Sequence, residues 1–76
     1  MNFDIQSLIL KYGFKCEELP FIETNSLHKI TVFPIHYGVS NNTGIGYDVD
    51  TLEELENLLK SFDKKEVYKV DFKVNL

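Results

Sequence analysis

HKITVFPIHY, residues His28 to Tyr37, is the stretch on which the fold turns. Its β-branched and aromatic residues make it a strand, with a histidine near each end and a proline inside. Pro34 is the informative residue. A proline has no N–H to give to a ladder, so in a sheet it belongs on an edge or at a bulge. The two placements lead to different surfaces. In a regular strand with Ile30 and Val32 turned to the core, Thr31, Phe33, Ile35 and Tyr37 share the other face as an apolar and aromatic strip. With a bulge at Pro34, Ile35 and Tyr37 turn inward and the strip shrinks to Phe33. His28 and His36 share a face but lie roughly 26 Å apart at about 3.3 Å per residue, too far for one metal ion. Two copies paired antiparallel about Val32 would bring these histidines together, but that register needs an N–H that Pro34 lacks. No metal site is expected.

On the N-terminal side of this strand, Ile5, Leu8, Ile9 and Tyr12 fall at i, i+3, i+4 and i+7, the spacing of one helical face. Asn2 to Tyr12 is therefore read as a helix, capped by Asn2 or Asp4. Gly13 supplies a left-handed C′ residue, and Phe14 the apolar group that folds back on the last turn. Alternation of Phe14 and Cys16 with Lys15 and Glu17 predicts a short strand over 14–19, ended by Pro20, with 20–26 as a connection.

On the C-terminal side, VSNNTG (Val39 to Gly44) reads as a turn, and Ile45, Tyr47 and Val49 alternate with Gly46, Asp48 and Asp50 as a returning hairpin strand. Asp50 to Glu53 and Thr51 to Glu54 both fit a capping box. The helix that follows keeps Leu52, Leu55, Leu58, Leu59 and Phe62 on one face, and Glu56 to Lys60 is an i,i+4 pair. Asp63-Lys64-Lys65 closes it. In the last ten residues Tyr68, Val70, Phe72, Val74 and Leu76 alternate with Val67, Lys69, Asp71, Lys73 and Asn75, the pattern of a strand with one wet face.

The expected fold is α+β, one domain over residues 1–76, with element order α-β-β-β-α-β. The crossover from the third strand through the second helix makes the fourth strand parallel to the third and to the first. The prediction is a two-layer structure: a mixed four-stranded sheet with both helices packed on one face. The other face is left open, and Lys69, Asp71 and Lys73 of the last strand join Thr31, Phe33, Ile35 and Tyr37 there.

Composition narrows the function classes. With 76 residues the chain is near the lower limit for an unstapled core, and ten Phe and Tyr compensate for the absence of Trp and Ala. A formal net charge of −4 and the absence of Arg argue against nucleic acid as principal ligand and remove bidentate phosphate recognition. The single cysteine, Cys16, forms no internal disulfide, no secretory leader is visible and no apolar run approaches a membrane span. A cytoplasmic protein without membrane attachment is expected.

Each candidate for chemistry has a plainer account. Cys16 beside Glu17 and Glu18 is disfavoured as a thiolate and reads as half-buried. TGIGYD (Thr43 to Asp48) lacks the third glycine and the context of a phosphate loop, and the sequon Asn41-Asn42-Thr43 reads as turn chemistry. Asp48-Val49-Asp50 opens like a calcium loop but meets Leu52 at the third oxygen position. Asp48, Asp50, Glu53, Glu54 and Glu56 form an acidic patch at the second helix start, suited to the dipole or to a basic partner. No nucleophile, base and oxyanion donor come together, and no cofactor is implied.

The sequence thus points to a small non-enzymatic protein-binding module, an inhibitor, immunity-type or phage-encoded regulatory protein, using the open sheet face. Two alternatives remain: a homodimeric structural subunit, and a weak single-stranded nucleic-acid binder stacking bases on Phe33 and Tyr37 beside Lys69 and Lys73.

Overall fold

The computed structural model describes residues 2–20, 26–39 and 45–75. Its elements are α1 (Asn2–Lys11), β1 (Ile30–His36), β2 (Tyr47–Val49), α2 (Leu52–Ser61) and β3 (Val67–Val74). The α+β class is as expected. The strand count is not: the sheet has three strands in the order β2-β1-β3, with β1 antiparallel to both neighbours.

The segment expected as the first strand, 14–19, makes isolated parallel bridges instead, Lys15 to Lys69 and Glu18 to Phe72. Lys15 N–H donates to the Tyr68 carbonyl, Val70 and Phe72 donate to Lys15 and Glu17, and Leu19 donates to Phe72. A continuous parallel ladder would add a bond from Glu17 N–H to the Val70 carbonyl, and that bond is missing. The ladder breaks there, leaving a strap along the outer edge of β3. The expected third strand is also shorter, with Ile45 and Gly46 outside β2. Residues 40–44 of the turn expected at Val39 to Gly44, with its sequon, most of the 20–26 connection, and Leu76 lie outside the described residues.

Pro34 falls in the central strand, and the bonding pattern explains how. Because Val70 and Phe72 donate outward to the strap, β3 turns Lys69, Asp71 and Lys73 toward β1, where they face Ile35, Phe33 and Thr31. Pro34, opposite Val70, therefore turns its nitrogen away from β3 and toward the β2 side. Pairing with β2 runs from Ile30–Val49 to Val32–Tyr47 and stops where Pro34 would have to donate. The bulge comes later and in the other strand: Ile35 faces Lys69 and His36 faces Val67, which leaves Tyr68 as the extra residue. Ile35 thus keeps the face of Thr31 and Phe33.

One apolar cluster joins Ile5 and Ile9 of α1, Leu55 and Leu59 of α2, Ile30 and Val32 of β1, and Val70 and Phe72 of β3. An aromatic row closes its end, with Phe62 edge-on to Phe14 at 6.2 Å and to Tyr47 at 5.7 Å. The helix ends follow their sequence signals. Gly13 (φ +89°) ends α1 in a Schellman motif, with Phe14 N–H to the Ile9 carbonyl and Gly13 N–H to that of Leu10. At α2, Thr51 Oγ1 accepts from Glu54 N–H at 3.1 Å, which selects the second of the two capping registers. The Glu54 carboxylate reaches back one residue further than a standard box, to Asp50 N–H.

Two substitutions probe this packing. Phe72→Ala, at a side chain with no solvent exposure, is expected to cost about 3–5 kcal/mol. Gly13→Ala forces a left-handed alanine and is expected to cost about 1–2 kcal/mol. Urea unfolding monitored by circular dichroism measures both. Equal, small losses would mean that neither the core position nor the C′ turn matters as described.

Candidate functional site

The residues expected on the open sheet face do come together, but the face is not open. Thr31, Phe33 and Ile35 of β1 stand opposite Lys73, Asp71 and Lys69 of β3. Ile35 is 2% and Asp71 3% exposed, and Thr31 and Lys73 are also buried. Phe33 is half-buried and lies against Gly46, where a Cβ would come within 3.0 Å of its ring. Only Tyr37, past the bulge, stands out at 62% exposure, and its ring rests on that of Tyr68 at 5.1 Å. The Tyr68 hydroxyl in turn donates to the Val39 carbonyl. The strip read as a partner site is thus mostly interior.

Most of its polar groups find partners within the chain, although the buried Asp71 Oδ1 and Asn75 Oδ1 accept no hydrogen bond among the described residues. Thr31 Oγ1 donates to the Asp48 carboxylate at 2.7 Å and accepts from Asn75 Nδ2 at 2.9 Å. Lys69 Nζ sits 3.0 Å from Glu17 Oε2 and 3.5 Å from Asp71 Oδ1. Burial pushes the Asp71 carboxyl above its ordinary value against the pull of Lys69, while the bond to Glu17 raises Lys69. Lys73 Nζ lies 6.0 Å from the centre of the Phe33 ring. Both lysines are therefore engaged inside the fold.

The acidic patch divides in two. Asp48 holds Thr31, Asp50 accepts from Lys29 N–H at 2.9 Å and pairs with His28 Nδ1 at 3.0 Å, and Glu54 serves the helix start. Glu53 and Glu56 belong elsewhere, lining a groove of about 420 Å³ between α1 and α2. Leu8 and Leu52 give that groove its apolar lining, Asp4 adds a third carboxylate, and Lys11 is the one cation among the described lining residues. The Tyr12 phenol is held above its ordinary value by burial and then by its hydrogen bond to Glu56.

Beside the groove, α1 exposes two large apolar groups, Phe3 at 78% and Leu10 at 53%, on the side away from Ile5 and Ile9. A signal for this was present: Phe3 and Leu10 are seven residues apart, off the Ile5 stripe.

The other candidates are tied to packing. Cys16 is half-buried, and burial followed by the charge of Asp71 pushes its thiol up to about 11, so it is protonated at neutral pH. His36 is exposed and His28 is taken by Asp50. Among the described residues no three His, Cys, Asp or Glu are placed to hold a metal ion, and no helix is long and apolar enough to cross a membrane. No family model, curated protein or solved structure matches the chain.

The His28–Asp50 pair makes stability depend on pH. Hydrogen bonding to Asp50 raises His28 above its ordinary 6.5, and the same bond lowers Asp50. A raised histidine stabilises the fold fully below its unfolded pKa and loses that contribution as pH rises through the folded value. A lowered carboxylate stabilises above its unfolded pKa and loses that as pH falls through the folded one. The pair thus contributes most in the mildly acidic window between them. His28→Asn is expected to lower the urea midpoint at about pH 5.5 and to have much less effect at about pH 8. An effect of equal size at both would remove the ionic pair from the account.

Proposed function

We propose that the chain is a small non-enzymatic protein-binding module, of the inhibitor, immunity-type or phage-encoded regulatory kind, and that it docks through the outer side of α1. The supporting observation is the exposure of Phe3 and Leu10 on a helix that already buries Ile5 and Ile9 on its other side. A helix that is apolar on opposite sides is one with two partners, and the described residues supply only one. This reading takes α1 and α2 as a single layer over the Ile30 and Val32 side of the sheet, in line with their common cluster. A cytoplasmic location fits the lone protonated cysteine.

The module reading moves the contact surface from the sheet to the helix layer. Of the sheet strip, Phe33 and Tyr37 retain surface and extend the contact at most at one end. The nucleic-acid alternative loses support, because Lys69 and Lys73 are held against Glu17, Asp71 and Phe33 and offer no free cation to a phosphate backbone. Self-association through α1 is the competing use of the same apolar surface, and sedimentation at micromolar concentration separates the two.

The test is Phe3→Ser with Leu10→Ser. Both side chains are exposed, so thermal stability should stay within about 0.5 kcal/mol of wild type. Affinity capture from the organism that encodes the protein should lose the wild-type partner with this variant and keep it with Tyr37→Ser. Recovery of the same partner with the α1 variant would refute α1 as the docking element. A wild-type dimer that the variant converts to monomer would assign the surface to a second copy.

A further inference from the structure

The groove between α1 and α2 specifies what kind of partner α1 receives, an inference that rests on reading α1 as the docking element. Its volume of about 420 Å³ is that of a site filled by a few side chains. The lining combines Leu8 and Leu52, the latter 41% exposed, with the carboxylates of Asp4, Glu53 and Glu56. Glu56 is partly satisfied by Lys60 at 3.9 Å. Asp4 and Glu53 make no ion pair among the described residues. Each stands in the first turn of its helix, where the dipole favours an acid, but the dipole gives no reason for Leu52 to remain exposed beside them, next to a half-buried Leu8.

We propose that this groove docks a basic amphipathic helix of another protein. Its aliphatic side chains cover Leu8 and Leu52, and its lysine or arginine heads meet Asp4 and Glu53. The ten residues of α1 span about 15 Å, which fits a partner helix of about three turns. Charge selects this occupant. Among the described residues, three carboxylates face only Lys11 in the lining and Lys60 beside Glu56, which leaves the groove acidic and disfavours phosphate-bearing surfaces, nucleic acid and an anionic bilayer alike. A second copy meeting its own groove across a two-fold axis would set acidic lining against acidic lining, in a chain of net charge −4. A cationic helix removes both the exposed apolar area and the unpaired acids, the helix-in-groove mode of recognition.

Synthetic peptides test this directly. A fluorescein-labelled helix of about fourteen residues, with leucines at i, i+3, i+4 and i+7 and lysines beside them, is titrated with the protein at low and high salt. Its controls are a scrambled peptide of the same composition and one with glutamates in place of lysines. The patterned basic peptide should bind about tenfold more tightly than either control and weaken as salt rises. Glu53→Lys should weaken it by about fivefold or more, whereas Glu66→Lys, an equal charge change outside the groove, should leave it nearly unchanged.

Equal binding of the scrambled peptide, or equal effects of the two substitutions, would reduce the interaction to general charge attraction and overturn the proposal. A wild-type dimer that Leu52→Ser dissociates would overturn it in favour of a second copy. If the peptide fails to bind while the α1 serine variant still loses its captured partner, this inference falls and the protein-binding reading stands.

Discussion

The bonding of β1 on both sides organises the molecule. Its odd residues pair with β3 along the whole strand, and its even residues are free to pair with β2 only until Pro34, which has no N–H. That single missing donor sets the length of β2 and leaves the rest of β1 attached to the sheet by β3 alone. The core then forms on the side where Ile30 and Val32 meet Phe72 and Val70, and both helices contribute to the same cluster. Everything else, including the place of the groove, follows from which residues β1 sends to that side.

Much of this was legible in the sequence because local rules agreed with the global fold. The Schellman ending at Gly13 and the Thr51 cap were written in residues adjacent to the bonds they make. Alternation assigned Thr31, Phe33, Ile35, Lys69, Asp71 and Lys73 to one face correctly. What alternation does not carry is whether a face is wet. Lys69, Asp71 and Lys73 read as solvent residues because they are charged, yet the fold matches two of them with Glu17 and with each other and lays the third against Phe33. The matches to Glu17 and Phe33 lie far apart along the chain, 52 residues in the case of Glu17 and Lys69, and have no local signal. The strap at 14–19 was missed for a related reason, since its strand-like alternation is real but its ladder lacks a bond that only the partner's geometry decides.

The candidate site was legible in a different sense. Glu53 and Glu56 belonged to the acidic patch, but grouping them with Asp48, Asp50 and Glu54 hid the division of labour between holding the β1 start and lining the groove. Phe3 and Leu10 escaped notice because a helix is normally read for the stripe it buries. Reading α1 for what remains after Ile5 and Ile9 are placed exposes the second stripe at once.

The strap along β3 also governs the order in which this chain acquires its structure. Glu17 and Lys69, which the strap brings together, are 52 residues apart. Closing so long a loop precedes any gain from the contact, so folding speed is set by topology more than by how readily the helices form. During synthesis the strap at 14–19 has no partner until β3 has left the ribosome. Until β3 is present, the apolar groups that α1 and the strap bury against it have no cover.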